Sequence, residues 1–351
     1  MTDKILTLII PSYNMEKYLD RCLSTLIVDD EHMKLFEALV INDGSKDRTS
    51  EIGHGYEQKY PDTFRVIDKE NGHYGSCVNR GLAEARGTFI KVLDADDCFA
   101  TDVFSSFLEF LMQKETKEMA DLILSDYSIV DENGLVQRIH RYSDYSNPFS
   151  IDQITWKDRE DWFIHGLTYK TSILHKIGYR QTEGISYTDE EWIVKPLVAV
   201  KTCYRFEGSL YRYTVGREGQ SMSPAVFSKG LSMRITVAQS ILDFYNSLND
   251  TNSSVALFTK GRLLSLLNYI YHTTLFSQLT DGQAFRQLQA IDEKIKRSSS
   301  DIYDELNRAI TIAGIKFRPV QDFRNGKRFR LTTIRLLYTL SDSLNHIGHR
   351  K

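Results

Sequence analysis

Phe89-Ile90-Lys91-Val92-Leu93-Asp94-Ala95-Asp96-Asp97 passes from an apolar run straight into a cluster of acids. Its first five residues are strand-length and mostly apolar, and the run stops abruptly on acid. A strand too apolar to decorate a surface places its terminal carboxylates where the chain leaves a core. Three comparable runs precede it, Ile5 to Ile10, Phe36 to Ile41 and Phe64 to Ile67. Each of these strands is followed by helix-compatible sequence: Glu16 to Ile27, Asp47 to Tyr60, Gly75 to Ala85 and Asp102 to Gln113. Strand and helix in alternation predict an α/β fold, a doubly wound sheet with helices on both faces. Ligands of such sheets bind outside the carboxyl ends of the strands. Those ends are Pro11-Ser12-Tyr13-Asn14, Asn42-Asp43-Gly44-Ser45, Asp68-Lys69-Glu70-Asn71-Gly72 and Asp94-Ala95-Asp96-Asp97.

Beyond Asp97 the pattern changes. Asp121 to Val130 and Leu135 to His140 flank Asn133-Gly134, a strong hairpin signal. A helical stretch over Asp189 to Val200 follows, then strand-like Cys203 to Phe206 and Leu210 to Tyr213, then a loop from Gly216 to Ser221. From about Val226 helix patterns dominate, so the chain divides into residues 1–225 and a helical C-terminal region, 226–351. At 351 residues the chain exceeds the usual single domain, and 41% hydrophobic with 26% charged residues excludes a disordered or collagenous protein. Lys and Arg at 44 against Asp and Glu at 47 leave no global field to draw nucleic acid. Cys22, Cys77, Cys98 and Cys203 form no C-x-x-C pair, which argues against a zinc cluster and suits a reduced, cytoplasmic setting. No signal peptide is read at the N-terminus. Leu263 to Thr280 is uncharged, yet Ser265, Asn268 and His272 recur at helical spacing, so it reads as a packed helix and not a membrane span.

Asp94, Asp96 and Asp97 would repel one another unless a cation held them, and hard oxygen ligands at an open site suit Mg²⁺ or Mn²⁺ shared with a diphosphate. The bland alternative is a solvated acidic turn. Asp43 can accept a hydrogen bond from a base N–H or a ribose hydroxyl. Asn, Asp, Gly and Ser are equally the residues that turns select, and Asp47 can cap the next helix. Pro11 and Tyr13 put a rigid bend and a ring at the same edge, where simple strand termination would also explain them.

Four such loops, in this order and spacing, resemble a family 2 inverting glycosyltransferase of the GT-A fold. The matching residues are Ile9-Ile10-Pro11-Ser12-Tyr13-Asn14, Val40-Ile41-Asn42-Asp43-Gly44-Ser45, Glu70-Asn71-Gly72 with Asn79 and Gly81, and Leu93-Asp94-Ala95-Asp96-Asp97, over roughly residues 1–223. The resemblance implies a GT-A type mixed sheet with a Rossmann-like nucleotide-binding half. It implies that Pro11, Tyr13, Asn14, Asp43, Asn71, Asp94 and Ala95 bind a nucleotide-sugar, Asp43 facing the base and Asp94 the ribose. Asp96 would bind the metal, a Lewis acid that neutralises the departing diphosphate. One departure is visible: Cys77-Val78 stands where the family often carries Ala-Arg, so Arg80 or another cation must serve the phosphates.

Inverting transfer needs a base beside the acceptor hydroxyl. Thr188-Asp189-Glu190-Glu191-Trp192 resembles the family's Glu-Asp motif, which makes Asp189 the base. The competing reading is a helix start, with Thr188 and Glu191 forming a capping box. Gly216 to Ser223 resembles the lid, with Arg217 supplying a bidentate phosphate contact. His73 and Tyr74 can face donor or acceptor, or simply pack. The basic segment Lys316 to Arg335, followed by amphipathic Leu331 to Leu344, suggests peripheral membrane contact on the inner face, or a merely solvated helix face. The expectation is therefore a cytoplasmic, metal-dependent transferase. It moves a sugar from a nucleotide donor, a UDP-sugar, to a saccharide or lipid-linked saccharide in cell-surface polysaccharide synthesis. A nucleotidyltransferase would carry a Gly-rich phosphate loop after the first strand, and a dinucleotide dehydrogenase would carry G-x-G-x-x-G there. Neither is present. A degenerate nucleotide- or glycan-binding scaffold is opposed by the intact acids.

Overall fold

A computed structural model describes residues 4–142, 144–155, 157–158, 161–216, 230–277, 282–312 and 315–327. Its central sheet begins as the sequence predicts. Strands β1 (Leu6–Ser12), β2 (Phe36–Asn42), β3 (Phe64–Asp68) and β4 (Phe89–Val92) run parallel in the order β3-β2-β1-β4. Every residue of β2 is buried, as expected of a strand covered on both faces. Ser12 is level with Asn42, and Asn42 with Asp68, so three of the four chemistry-bearing loops leave the sheet along one row.

Between the strands lie helices α1 (Leu19–Ser24), α2 (Asp30–Met33), α3 (Thr49–Lys59), α4 (His73–Glu84) and α5 (Thr101–Met112). Helix α4 lies hard against β1. A Cβ on Gly81 would meet the Ile9 side chain at 2.6 Å, so only glycine permits that approach.

Past β4 the sheet turns antiparallel. The order continues β4-β9-β6-β10-β5, with β9 (Leu167–Lys170) antiparallel to both β4 and β6 (Leu122–Val130). Strand β10 (Thr202–Thr214) runs parallel to β6 and antiparallel to β5 (Cys98–Phe99). The hairpin partner β7 (Val136–His140) pairs with β6, and Gly134 takes the positive φ of 80° its turn requires. A two-residue β8 (Phe149–Ser150) adds to β10. The two strand-like runs after Cys203 are one continuous strand with a register shift between Phe206 and Tyr211. Two short helices follow α5 and β9: α6 (Lys114–Met119) and α7 (Thr171–Lys176). The helix expected over Asp189 to Val200 is shorter. It is α8 (Asp189–Val194), continued as a 3₁₀ turn over Lys195–Ala199, where Pro196 cannot supply an α-helical N–H.

The chain divides into two compact units, Met1–Gln220 with Asn252–Phe258, and Ser221–Thr251 with Thr259–Lys351. Helices Leu231–Ser247 and Gly282–Ser298 bury Ile241, Leu242, Leu288, Ile291 and Ile295 in the second unit. Its polar anchor is Arg324, which pairs with Asp292 at 2.7 Å and lies 3.4 Å over the Tyr303 ring. That cation belongs to the basic strip read as lipid-facing, yet it is buried. Residues 328–351 lie outside the described residues. No helix among the described residues is long and apolar enough to cross a membrane.

Candidate active site

The first two loops are stitched together by short polar side chains. Asp43 donates its N–H to the Ser12 carbonyl at 2.8 Å. Asn14, at φ 54°, donates its N–H to Ser45 Oγ and accepts the Lys46 N–H on Oδ1, at 3.0 and 2.8 Å. Asp47 caps its turn by accepting from the Thr49 N–H, and also takes the Glu16 N–H, both at 3.0 Å. Pro11 lies level with Ile41 in the sheet. The Tyr13 ring is 47% exposed and borders an open cleft of about 530 Å³ with Gly44, Lys46, Asp68, Lys69, Glu70 and Asn71.

Asp43 is buried, and one of its oxygens accepts from Lys69 Nζ, which lines this cleft, at 2.6 Å and from the Gly72 N–H at 2.9 Å. Asn71 Nδ2 donates to the Asp43 carbonyl at 2.9 Å. Lys69 also donates to Ser76 Oγ at 2.9 Å, so the cation is fixed between the second and third loops. Sequence reasoning missed Lys69. Its only signal is position, a single basic residue directly after a strand end. Arg80 does not serve the cleft, because its guanidinium pairs with Glu84 one turn along α4, at 3.0 Å.

The acid loop is held from beneath. Tyr211 donates its hydroxyl to Asp97 at 2.7 Å and receives the Asp94 N–H at 3.2 Å. The second oxygen of Asp97 accepts the Thr214 N–H at 2.7 Å, and Arg21 bridges the Asp96 carbonyl to Thr214 Oγ1 at 2.7 and 3.0 Å. Ala95 and Asp96 are buried, and Asp94 is partly exposed. Burial, then the neighbouring Asp94 charge, pushes Asp97 up to about 8.

A ring nitrogen of His165 and carboxylate oxygens of Asp94 and Asp97 lie within 4.8 Å of one another. His165 is buried, stacked on Tyr213 at 4.4 Å, and its Nδ1 has no hydrogen-bond partner among the described residues. Burial, and then Lys91, drives its pKa down to about 3, so the imidazole is neutral and keeps a lone pair. Lys91 fixes it by donating to the His165 carbonyl at 2.6 Å. Two hard oxygens and an orphaned imidazole nitrogen fit a divalent ion such as Mn²⁺ or Mg²⁺. Asp96, the metal ligand expected from sequence, is buried next to this group without belonging to it.

Asp189 opens α8. The capping box does not form: Thr188 donates its hydroxyl to Gln181 Oε1 at 3.0 Å and makes no side-chain cap. Glu191, fully buried, accepts from the Thr182 N–H and hydroxyl at 2.7 and 2.9 Å and pairs with Lys195 at 2.7 Å. Both side chains grip the 181–182 segment instead of the helix. That segment is gripped from the other side by α4, where Asn79 bonds both the carbonyl and the N–H of Gln181, at 2.9 and 2.8 Å. Tyr74, in the first turn of α4, donates to Asp94 Oδ1 at 3.0 Å. Burial, then the charges of Asp94 and Asp189, raise its phenol well above the usual value, so both acids act on one hydroxyl. The acid loop and the start of α8 therefore share one edge. Arg217 and most of the expected lid lie outside the described residues.

A nucleotide-type half sheet, an antiparallel half and an acid loop at their junction define a GT-A fold. Residues 7–174 match glycosyl transferase family 2, and this stretch of the chain belongs to that family. Over 102 residues, 28% of the chain and 34% of the relative, it is 37% identical to an uncharacterized glycosyltransferase of Mycoplasma pneumoniae, the MG025 homolog. Over 220 residues, 61% of the chain, it is 32% identical to the minor teichoic acid biosynthesis protein GgaB of Bacillus subtilis. These matches span about a third and about a quarter of the two relatives, 34% and 23%. In fold it is similar to S. aureus TarS 1–349, crystallised with UDP-GlcNAc, at TM-score 0.65 and 20% identity over 96% of this chain and 92% of that one.

Proposed function

We propose that the chain transfers a sugar from a uridine nucleotide-sugar to a hydroxyl acceptor with inversion at the anomeric carbon. The observation that carries this reading is the Tyr74 hydroxyl bonded to Asp94, on a helix whose Asn79 holds the same 181–182 segment that Glu191 of α8 holds, because this chain of bonds joins a donor-side acid to the helix that carries the candidate base. Asp43 and Lys69 place an acceptor beside a donor, which complements the N3–H and a flanking carbonyl of uracil. The Tyr13 ring offers a face to the base, with Pro11, Asn14 and Asn71 shaping the walls of the cleft. Asp94 would face the ribose across the buried Ala95.

Asp94, Asp97 and His165 are the residues that would hold Mn²⁺ or Mg²⁺, with Asp96 beside them. The ion, when bound, supplies charge neutralisation to the departing diphosphate. Asp189 takes the proton from the acceptor hydroxyl as that oxygen attacks the anomeric carbon from the face opposite the leaving group. Its precision comes from Glu191 and Thr188, which fix α8 by bonds to the 181–182 segment. Arg217 would add a phosphate contact. The acceptor we assign is a saccharide or lipid-linked saccharide at the cytoplasmic membrane face, in keeping with the teichoic acid role in the name of GgaB. Catalysis is assigned to residues 1–225.

A thermal-shift screen of nucleoside diphosphates with Mn²⁺ tests the proposal, followed by hydrolysis of the matching sugar donors. UDP should raise the melting temperature most, and only with the metal. No stabilisation by any nucleoside diphosphate would remove the donor assignment.

A further inference from the structure

We propose that Tyr74 is a positioning residue that fixes the Asp94 carboxylate for the nucleotide and ties it to the rigid piece carrying Asp189. The inference rests on the donor and base roles proposed above for those acids.

Helix α4 cannot drift from its neighbour. A Cβ on Gly75 would lie 2.1 Å from the Thr182 carbonyl oxygen, so the two backbones approach more closely than any other residue allows. Gly184 donates its N–H to the Gly72 carbonyl at 2.9 Å, and Asn79 adds its two bonds to Gln181. The same segment is held from the α8 side by Glu191 through Thr182 and by Thr188 through Gln181. The starts of α4 and α8 thus form one body, built from local bonds on both sides of residues 181–184.

The acid loop belongs to a different part of the scaffold, anchored on β10 through Tyr211 and Thr214. Tyr74 spans the two bodies with the 3.0 Å bond from its hydroxyl to Asp94 Oδ1. Asp94 and Asp97 bring two carboxyl groups close together, with Asp97 the more buried and held by Tyr211 and Thr214, and Asp94 held by Tyr74. A neutral donor on one oxygen sets the torsion of that carboxylate without neutralising it, and therefore without competing with a metal or a ribose hydroxyl. Phenylalanine would fill the same space and remove that donor from the Asp94 carboxylate.

Tyr74→Phe separates the bond from the packing. By isothermal titration, the variant should bind UDP with Mn²⁺ about tenfold more weakly, the scale of one hydrogen bond to a charged group. Its ligand-free melting temperature should stay at the wild-type value. In donor hydrolysis the KM should rise by about the same factor, with a smaller change in kcat. Affinity within about twofold of wild type would overturn the inference. So would a loss of affinity matched by a fall in the ligand-free melting temperature, because packing alone would then explain it. A wild-type protein that fails to bind UDP with Mn²⁺ would instead sink the proposed function itself.

Discussion

In the proposed reaction Asp189 is the base, and it opens a helix that Glu191 and Thr188 fix to residues 181–182. Asp189→Asn keeps the shape and removes the proton acceptor. Turnover should fall by about two to four orders of magnitude while UDP affinity stays within about twofold. Initial-rate kinetics with parallel titration calorimetry check both, and retained turnover would remove Asp189 from its role. The histidines offer a second test. His54 donates to Asp68 at 2.9 Å and to Glu57 at 2.8 Å, bonds that raise its pKa in that order. Its contribution to stability is full at low pH and is lost as pH rises through the folded value. His165 behaves oppositely: its folded pKa is depressed to about 3, so stability falls as pH drops below about 6.5, where the unfolded ring binds a proton. Imidazole NMR titration should show His54 turning above the ordinary midpoint and His165 still neutral at pH 5. The acids of the loops were legible because polar clusters at strand ends have few structural excuses. Lys69 and His165 were not, because each is one residue whose meaning arises only from a distant partner, and Tyr74 was legible as a ring near donor or acceptor but not as the donor to Asp94.

At the level of elements, the start of α8 shows how a local rule can be overridden. Thr188 and Glu191 have the spacing of a capping box, yet both spend their hydrogen bonds on residues 181–182. Tertiary demand won because the 181–184 segment must carry α4 as well. Gly75→Ala tests that account: the added methyl would meet the Thr182 oxygen, so the segment must move. Urea unfolding should show a loss of about 1–3 kcal/mol, and transfer should fall further than donor affinity because α8 shifts with the segment. An unchanged midpoint would mean the contact is not tight. The first four strands were readable from their apolar runs, each followed by a helix. Strands β9 and β5 were not, since four residues and two residues are too short to show a period. The bulge at Phe206/Tyr211 hid the continuity of β10, because Glu207 and Gly208 interrupt its apolar pattern.

Over the whole molecule, a net charge of −3 leaves recognition to local sites, and the cleft beside Tyr13 supplies one. The helical C-terminal unit was anticipated from its periodicity, but not its use of Arg324 as a buried anchor. Basic residues in sequence proximity look like a patch, and only folding reveals which of them turn inward. Acceptor identity was not legible at all, because it depends on shapes that loops acquire together. The central claim is that Asp43, Asp94, Asp96 and Asp189 converge on one nucleotide-sugar site. Anomalous diffraction from crystals soaked with UDP and Mn²⁺ tests this most directly. A manganese peak should lie within bonding distance of the Asp94–Asp97 loop, with a uracil ring against Asp43. A peak elsewhere, or a nucleotide that leaves Asp43 untouched, would contradict it.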